Sequence, residues 1–296
     1  MAGIVHKARA SKMQRSFEQL FRGLNIDNQE QKDKVVQLAD SYRSGGGAVV
    51  KVGGSALSEQ CGPKIFEHIK ILDGLEIPLV IVHGGGKDID EEMKRSGLEI
   101  KKIRGQRITD ERTVEILKRV MSGIGFRITQ SLIEQDIDAQ HLLGHGGILK
   151  VEAMSKELLY VGRVAMVKTK GILALAKEGM VPVITPLGFK DDHVYNINAD
   201  VACSKIAVSI NARKIIFVTN VDGIFDGSSW RSSVTVDEIL KMVAEDKITS
   251  GMIPKVEAVI EAVMGGLSAS IVNGNKENAL LAHLFGFNGS GTEIDE

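Results

Sequence analysis

Two stretches decide the fold of this chain, Val49-Val50-Lys51-Val52-Gly53-Gly54-Ser55 and Pro78-Leu79-Val80-Ile81-Val82-His83-Gly84-Gly85-Gly86. Each is an apolar β-type run that ends directly in glycines, and a segment with helical periodicity follows each of them. The backbone N–H groups of such a turn lie bare at the carboxyl end of a strand, where open α/β sheets bind polyanions. The two stretches therefore predict a parallel sheet with a phosphate-binding edge.

Strands and helices alternate along the rest of the chain. Nearly continuous apolar runs, typical of parallel strands covered on both faces, recur at 181–185, 214–219 and 269–272. Helical periodicity predicts helices at 63–75, 87–96, 110–134, 168–178, 199–211, 235–244 and 254–264. We therefore predict an α/β fold, a three-layer αβα sandwich with a central, mainly parallel sheet.

The stretch 139–166 departs from this alternation because its strand candidates are short and more polar. They lie at 139–143, 147–153 and 157–161. Short polar strands are typical of hairpins with one wet face, so we expect them to lie over the carboxyl edge of the main sheet.

Residues 1–47 read as an N-terminal helical extension. Apolar residues on one helical face indicate an amphipathic helix; they are Met13, Phe17, Leu20 and Phe21. The basic composition of residues 1–22 leaves a targeting segment as the alternative. Little chain lies nearby to cover this helix, so we expect it to pack on another subunit.

The glycines of Ser44-Gly45-Gly46-Gly47 predict a flexible joint after the extension. Beyond it we expect a first lobe at 48–188 and a second lobe at 189–296. The length of 296 residues suits either one large core or two such lobes.

Composition narrows the classes of function. Lys and Arg number 37 and Asp and Glu 38, so no global basic field exists to hold nucleic acid. Cys61 and Cys203 give neither a disulfide framework nor a zinc pattern, and we expect buried thiols in a reducing, cytoplasmic compartment. No apolar run reaches the roughly 18 residues of a membrane span. We predict no nucleic-acid partner, no membrane and no protein-held metal.

Several familiar motifs are missing. The sequence contains no GxxxxGK[ST], because Gly84-Gly85-Gly86-Lys87 continues to Asp88. It contains no GxGxxG that opens a βαβ unit, no GxSxG and no HExxH. P-loop kinases, protein kinases and nicotinamide dehydrogenases are therefore disfavoured.

Three basic residues are candidates for binding anions. Lys51 lies within an apolar strand, where a lysine is costly to bury unless it meets an anion; a snorkelling lysine at the strand end is the alternative. Lys255 follows Pro254 at a predicted helix start, and a lysine at this positive end favours a nearby anion. Arg107 precedes a helix that Asp110 would cap, and a guanidinium there suits a carboxylate, although a surface arginine is the default.

Polar residues also follow two of the predicted elements. Asn196-Ile197-Asn198-Ala199-Asp200 alternates amides and a carboxylate just before an apolar helix, and capping by Asn198 or Asp200 is the alternative to ligand binding. The strand 214–219 ends in Asn220-Val221-Asp222-Gly223, a polar turn that could hold a nucleotide base or ribose. His83 is predicted to be packed or hydrogen-bonded rather than to act as a base.

The order of these motifs resembles the amino acid kinase family and, within it, the N-acetyl-L-glutamate kinases. The matching segments run from Lys51-Val52-Gly53-Gly54 to Gly291-Thr292-Glu293-Ile294. Between them lie His83-Gly84-Gly85-Gly86, Arg107-Ile108-Thr109-Asp110, Asn196-Ile197-Asn198-Ala199-Asp200, Thr219-Asn220-Val221-Asp222-Gly223 and Gly251-Met252-Ile253-Pro254-Lys255. The resemblance implies ATP-dependent phosphorylation of the γ-carboxylate of N-acetyl-L-glutamate, in arginine biosynthesis.

The resemblance also implies roles for individual residues. Lys51 and Lys255 would be catalytic and flank the transferring phosphoryl group, and Asp200 would organise them. The acyl amino acid would be bound in the first lobe and by the start of the second, through Gly85, Gly86, Arg107, Asn196 and Asn198. ATP, with Mg²⁺ on its phosphates, would be bound mainly by the second lobe, through Gly53, Gly54, Thr219, Asn220, Asp222, Gly223, Gly251 and Met252. A homodimer or homohexamer would form through the N-terminal helix.

Two segments depart from the family pattern and leave alternatives open. Leu142-Leu143-Gly144-His145-Gly146-Gly147 and Gly123-Ile124-Gly125-Phe126-Arg127 replace segments near the acyl substrate. One alternative is a kinase for another acyl amino acid, such as N-acyl-aminoadipate or a carrier-protein-linked substrate. The other is a non-catalytic regulatory subunit, against which the presence of both lysines and Asp200 argues.

Overall fold

The computed structural model describes residues 2–54, 62–103, 105–248, 252–287 and 289–296. The helices of these residues are α1 (Ala2–Gly23), α2 (Gln29–Ser44), α3 (Gly62–Gly74), α4 (Gly86–Arg95), α5 (Glu111–Ile133), α6 (Lys170–Lys177), α7 (Ala199–Ser209), α8 (Val236–Ala244), α9 (Ile253–Met264) and α10 (Ala279–Leu284). The strands are β1 (Ala48–Val52), β2 (Leu79–His83), β3 (Lys102–Ile103), β4 (Gln106–Arg107), β5 (Ala139–Leu143), β6 (Leu149–Ala153), β7 (Gly162–Val167), β8 (Val181–Thr185), β9 (Leu187–Lys190), β10 (His193–Asn196), β11 (Lys214–Thr219), β12 (Ile224–Phe225), β13 (Trp230–Arg231), β14 (Ser233–Thr235), β15 (Ser268–Asn273) and β16 (Gly291–Asp295).

The main sheet has eight strands within the described residues, in the order β14-β16-β15-β11-β1-β2-β8-β5. All neighbouring pairs are parallel except β15 and β16. The central strands β1, β2 and β8 are buried along their whole length, as the continuous apolar runs predict. Because β1 joins β2 to β11, the predicted lobes share this sheet, and their boundary stays a prediction.

Helices cover both faces of the sheet. Alternate residues of one strand point to opposite faces, so Val50 and Val49 belong to different apolar clusters. The cluster of Val50 includes residues of α1 to α5 and α10, and the cluster of Val49 includes residues of α6 to α9. This arrangement confirms the three-layer αβα sandwich.

The prediction for 139–166 was wrong in two places. Residues 139–143 form β5, which pairs in parallel with β8 at the edge of the main sheet and does not belong to a hairpin. Its pattern looks polar because an edge strand is only half covered. The stretch 157–161 is not a strand. The strand that pairs with β6 to form the hairpin is β7, which begins at Gly162. A four-stranded sheet, β10-β9-β6-β7, results.

The N-terminal helices pack on their own chain. Leu20 and Ser16 of α1 are buried, and α1 lies against α3. The expectation that little chain covers this helix was therefore wrong. Gly46 and Gly47 do not form a loose joint, since a Cβ atom there would lie 1.8 Å from the Asn211 carbonyl oxygen and 2.2 Å from that of Pro78.

Two further observations concern the predicted classes of function. No helix among the described residues is long and apolar enough to cross a membrane. Cys203 is buried with a free thiol, as predicted, whereas Cys61 lies outside the described residues.

Candidate active site

Two buried lysines share one carboxylate at the carboxyl edge of the main sheet. Lys51 Nζ of β1 lies 2.8 Å from Asp200 Oδ1. Lys255 Nζ of α9 lies 3.2 Å and 3.1 Å from the two oxygens of the same carboxylate. Both lysines are less than a tenth exposed, so Lys51 is buried beside a carboxylate and does not extend to solvent; its binding of a ligand anion stays a prediction. We call this trio the lysine–aspartate cluster.

The charges of this cluster do not balance, because one carboxylate faces two ammonium groups. Burial alone would raise the pKa of Asp200, but Lys51 and Lys255 outweigh it and hold the pKa at about 2. Burial lowers the pKa of Lys255, and the opposing pull of Asp200 does not fully offset it; Lys51 lowers it further. The cluster therefore lacks one negative charge, which an anionic ligand would supply.

Local sequence places each member of the cluster. Asn198 caps α7, since its Oδ1 accepts from the backbone N–H groups of Asp200 and Val201 at 2.8 and 3.3 Å. The cap fixes Asp200 in the first turn of α7, pointing towards β1. Pro254 in the first turn of α9 starts the helix that carries Lys255. Asn198 thus has a structural task, and its predicted contact with the substrate stays a prediction.

The cluster opens into a cavity of about 230 Å³. Predicted catalytic, substrate and nucleotide residues meet there, although they are far apart in sequence. The lining comprises Lys51, Gly53, Gly54, Gly86, Lys87, Val218, Thr219 and Lys255. Because no side chain extends from the glycines, bare backbone faces the two ammonium groups across this cavity.

A hydrogen-bonded network of His83, Thr185 and His141 supports the second glycine turn, Gly84-Gly85-Gly86. His83 Nδ1 lies 3.4 Å from the Gly84 carbonyl oxygen, and its Nε2 lies 2.9 Å from Thr185 Oγ1. Because a carbonyl oxygen only accepts, Nδ1 carries the proton and the Thr185 hydroxyl donates to Nε2. His141 Nε2 then donates to Thr185 Oγ1 over 2.8 Å. Burial lowers the pKa of His83 to about 3, so His83 is neutral, and the prediction of a packed, hydrogen-bonded histidine is confirmed.

Arg107 lies next to this turn and is buried. It pairs with Asp90 of α4, and its Nη2 lies 3.4 Å from the Gly86 carbonyl oxygen. Thr109 connects it to Asn196: the Thr109 hydroxyl donates to the Arg107 carbonyl oxygen at 2.8 Å and accepts from Asn196 Nδ2 at 3.2 Å. The structure thus brings Arg107 and Asn196 together beside Gly86, and we call this pair the Arg107–Asn196 wall, although neither residue lines the cavity of the lysine–aspartate cluster.

Of the residues predicted to bind the nucleotide, Gly53 and Gly54 line the cavity, and those of the second lobe divide into three groups. Thr219 lines the cavity, and the exposed Asn220 follows it. Asp222 and Gly223 have structural partners: Asp222 accepts from Asn273 at 2.8 Å and from Ser290 at 2.6 Å, and a Cβ at Gly223 would lie 2.2 Å from Thr292 Oγ1. Met252 is half-buried at the start of α9, and Gly251 lies outside the described residues.

Three residues of the site were missed by sequence reasoning. Lys87 lines the cavity, and Asp90 and Thr109 orient Arg107 and Asn196. A usable signal existed for Lys87, because a lysine that directly follows a glycine turn falls at the positive end of a helix. No signal existed for Asp90, whose partner is set by the packing of α4 against β4.

Comparisons of the sequence with known proteins point to one family of enzymes. The sequence model of the amino acid kinase family matches residues 47–273. The chain is 40% identical over 263 residues to the acetylglutamate kinase of Wolinella succinogenes, covering 85% of this chain and 92% of the relative. It is 38% identical over 260 residues to the acetylglutamate kinase of Halothermothrix orenii, covering 83% and 90%.

A solved structure extends the similarity to the fold. The N-acetylglutamate synthase of Neisseria gonorrhoeae, complexed with coenzyme A and N-acetyl-glutamate, superposes with a TM-score of 0.80. The alignment covers 91% of this chain and 64% of that chain at 22% identity. At this level of identity, the similarity concerns the fold alone.

Proposed function

Because the chain belongs to the amino acid kinase family, we propose that it transfers the γ-phosphoryl group of ATP to the γ-carboxylate of N-acetyl-L-glutamate. The product would be N-acetyl-L-glutamyl 5-phosphate, for arginine biosynthesis. The lysine–aspartate cluster carries the proposal: Lys51 and Lys255 share Asp200 at an open cavity beside two glycine turns.

The reaction joins two anions, and the cluster addresses their repulsion. A carboxylate oxygen of the acceptor attacks the γ-phosphorus, a C–O–P linkage forms, and the bond to the β–γ bridging oxygen breaks as ADP leaves. A carboxylate is already ionised at neutral pH, so no general base is needed. Lys51 and Lys255, with the N–H groups of the glycine turns, stabilise the charge that spreads over the phosphoryl oxygens.

Asp200 serves as a positioning residue in this mechanism. Its carboxylate holds the two ammonium groups about 3 Å from its own oxygens, and this arrangement is in place before substrates arrive. Preorganised charges of this kind need no reorganisation during the reaction. A pKa of about 2 keeps Asp200 ionised throughout the physiological range.

The acyl amino acid would be held at the wall of Arg107 and Asn196. The Arg107 guanidinium is held in place by Asp90 and would meet the α-carboxylate with the N–H groups that Asp90, Met93 and the Gly86 carbonyl leave free. Asn196, held through Thr109, would meet the amide of the acetyl group. Gly86 lines the cavity and leaves open space there, whereas Gly85 packs closely against Ile124 and Met121 and would contribute its backbone only.

The nucleotide would lie on the opposite side of the cavity. Thr219 ends β11 there and lines the cavity, and Asn220 and Met252 would contribute from the segments that carry Thr219 and Lys255. No carboxylate lines the cavity among the described residues, and both lysines already pair with Asp200 beside it. Mg²⁺ would therefore be held by the ATP phosphates and water, where it would neutralise part of their charge. The cytoplasmic location and the homodimer or homohexamer belong to the same proposal.

Trapping the acyl phosphate with hydroxylamine tests this function. The wild-type protein is incubated with ATP, Mg²⁺ and N-acetyl-L-glutamate, and the hydroxamate is measured by its iron complex. N-acetyl-L-glutamine is the matched acceptor that lacks the γ-carboxylate, and Lys51→Ala is the matched protein. We expect ATP-dependent hydroxamate with the first acceptor only, and little from the variant. Absence of product from a protein that still binds ATP would move the substrate to another acyl amino acid or the role to regulation.

A further inference from the structure

Lys87 is a third lysine at the cavity of the lysine–aspartate cluster. It is the second residue of α4 and directly follows the glycine turn of β2. It lines the same cavity of about 230 Å³ as Lys51 and Lys255. Its side chain is exposed, so it is free to turn towards a bound anion.

The position of Lys87 in its helix disfavours its own charge. The first turn of an α-helix carries a partial positive charge, so a lysine there is unfavourable unless an anion lies close. Within the described part of the chain, no carboxylate pairs with Lys87. Arg95, by contrast, lies in the last turn of α4, where a cation is favourable, and contacts Glu92 there.

Lys87 also increases the charge surplus of the cavity. Asp200 offsets one of the two cluster lysines. Lys87 therefore leaves two uncompensated positive charges facing a single cavity. That surplus suits a dianionic group, and a terminal phosphoryl group is one.

We propose that Lys87 is a third phosphoryl-binding lysine of this site, whose ammonium group contacts oxygen atoms of the γ-phosphoryl group during transfer. The inference rests on the proposed function and adds a residue to it. The γ-phosphoryl is assigned because Lys87 follows the glycine turn of β2, next to the proposed acceptor residues, whereas Thr219 ends β11 on the other side of β1. The α- and β-phosphates would lie on the Thr219 side.

Three variants test this assignment. Lys87→Met removes the charge but keeps an unbranched chain, and Lys87→Arg keeps the charge. Lys94→Met is the matched control, because Lys94 is an exposed lysine of the same helix away from the cavity. Steady-state rates are measured by hydroxylamine trapping. Calorimetry then compares the affinities for AMP-PNP and ADP, each with Mg²⁺ and without acceptor.

We expect Lys87→Met to lower kcat by roughly 10–100-fold, less than the 10²–10³ of a fully buried donor because Lys87 is exposed. AMP-PNP should bind more weakly while ADP affinity changes by less than about twofold, since ADP lacks the γ-phosphoryl. Lys87→Arg should recover most of kcat, and Lys94→Met should behave as the wild type.

The outcomes separate this inference from the proposed function. A Lys87→Met variant with wild-type kcat and an unchanged ratio of AMP-PNP to ADP affinity would make Lys87 a solvated surface lysine. If the wild type makes no acyl phosphate but binds both nucleotides, the proposed function fails, and the affinity ratio alone decides the role of Lys87. If the wild type binds neither nucleotide, both proposals are wrong.

Discussion

Two buried charge clusters lie at opposite edges of the same sheet. The lysine–aspartate cluster lies at the carboxyl edge, near the end of β1. The second, which we call the C-terminal cluster, lies where β11 begins, at the amino edge. It consists of Lys214, Ser270, His283 and Glu293. Both clusters are built around one carboxylate and at least one buried lysine.

The clusters differ in how the carboxylate is satisfied. Glu293 receives Lys214 on both oxygens, at 2.7 and 2.9 Å, and the Ser270 hydroxyl at 2.5 Å. His283 Nδ1 is a third neighbour of this carboxylate, 3.3 Å from Glu293 Oε2. Asp200 instead faces two lysines, and both of these lysines line a cavity. Matched charge with saturated acceptors indicates a structural cluster, whereas surplus positive charge at a cavity indicates a site for an anion.

Asp200→Asn should have the largest effect on stability. It leaves two buried ammonium groups without a counter-charge, which costs on the order of 3–5 kcal/mol of unfolding free energy at neutral pH. Asp200 has a depressed pKa, so its contribution is present above the unfolded value of about 3.9 and is lost as the pH falls towards about 2. The difference between wild type and variant should therefore shrink across this window.

Urea unfolding from pH 7 down to the lowest pH at which the wild type stays folded measures this difference. Asp27→Asn is the control, because Asp27 is exposed. An Asp200→Asn variant as stable as the wild type at pH 7 would mean that solvent, and not Asp200, compensates the lysines.

Lys51→Met separates function from stability. Asp200 keeps Lys255 as a partner, so the free energy of unfolding should change less than in Asp200→Asn. The rate of acyl phosphate formation should fall by roughly 10²–10³, about 3–4 kcal/mol in transition-state stabilisation. The hydroxamate assay and urea unfolding on the same samples check both parts. A variant that keeps a tenth or more of the wild-type kcat would contradict the assignment of Lys51.

Five strands of the main sheet (β15, β11, β1, β2 and β8) and the candidate lysines Lys51 and Lys255 could be predicted from the sequence because their signals are local. The apolar runs of β1 and β2, the glycines after them and the cap before α7 each depend on a few neighbouring residues. The meeting of Lys51, Asp200 and Lys255 was reached only through the resemblance to a family. Elementary periodicity does not say which helix start faces which strand.

The parts that failed depend on contacts between distant segments. Residues 139–143 look like a polar hairpin strand, but β8 recruits them to the edge of the main sheet. The hairpin of β9 and β10 turns at Asp191 and Asp192, both with positive φ, and two adjacent aspartates are a weaker turn signal than Asn-Gly or Asp-Gly. Gly46 and Gly47 were interpreted as flexible, although close backbone contacts require them. Asp90 shows its role only once it lies beside Arg107.

Lys214→Met tests whether the C-terminal cluster serves stability and not function. Removing this lysine leaves Glu293 partly buried without its cation, which should cost about 2–3 kcal/mol; the estimate is below that for a fully buried pair because the Glu293 side chain is 27% exposed. Acyl phosphate formation by the folded protein should stay within about twofold of wild type. The double variant Lys214→Met, Glu293→Gln should regain part of the stability. A kcat that falls as far as in Lys51→Met would make the C-terminal cluster part of the functional site.

Gly125→Ala should have the smallest effect and tests an uncharged network beside the site. A Cβ atom at Gly125 would lie 2.3 Å from His141 Nε2 and 2.9 Å from His83 Nε2. Both histidines belong to the hydrogen-bonded network that supports the Gly84 turn. Displacing His141, which is half-buried and can turn aside, should cost about 1–2 kcal/mol of unfolding free energy. Gly123→Ala, in the same helix, is the matched control: its nearest atom would be Arg127 Nη1 at 3.7 Å, so alanine should stabilise it by roughly 0.5–1 kcal/mol. If urea unfolding gave the two variants equal stability, the hydrogen-bonded network of His83, Thr185 and His141 would not constrain α5. The glycine turn beside Lys51 would then not depend on this network.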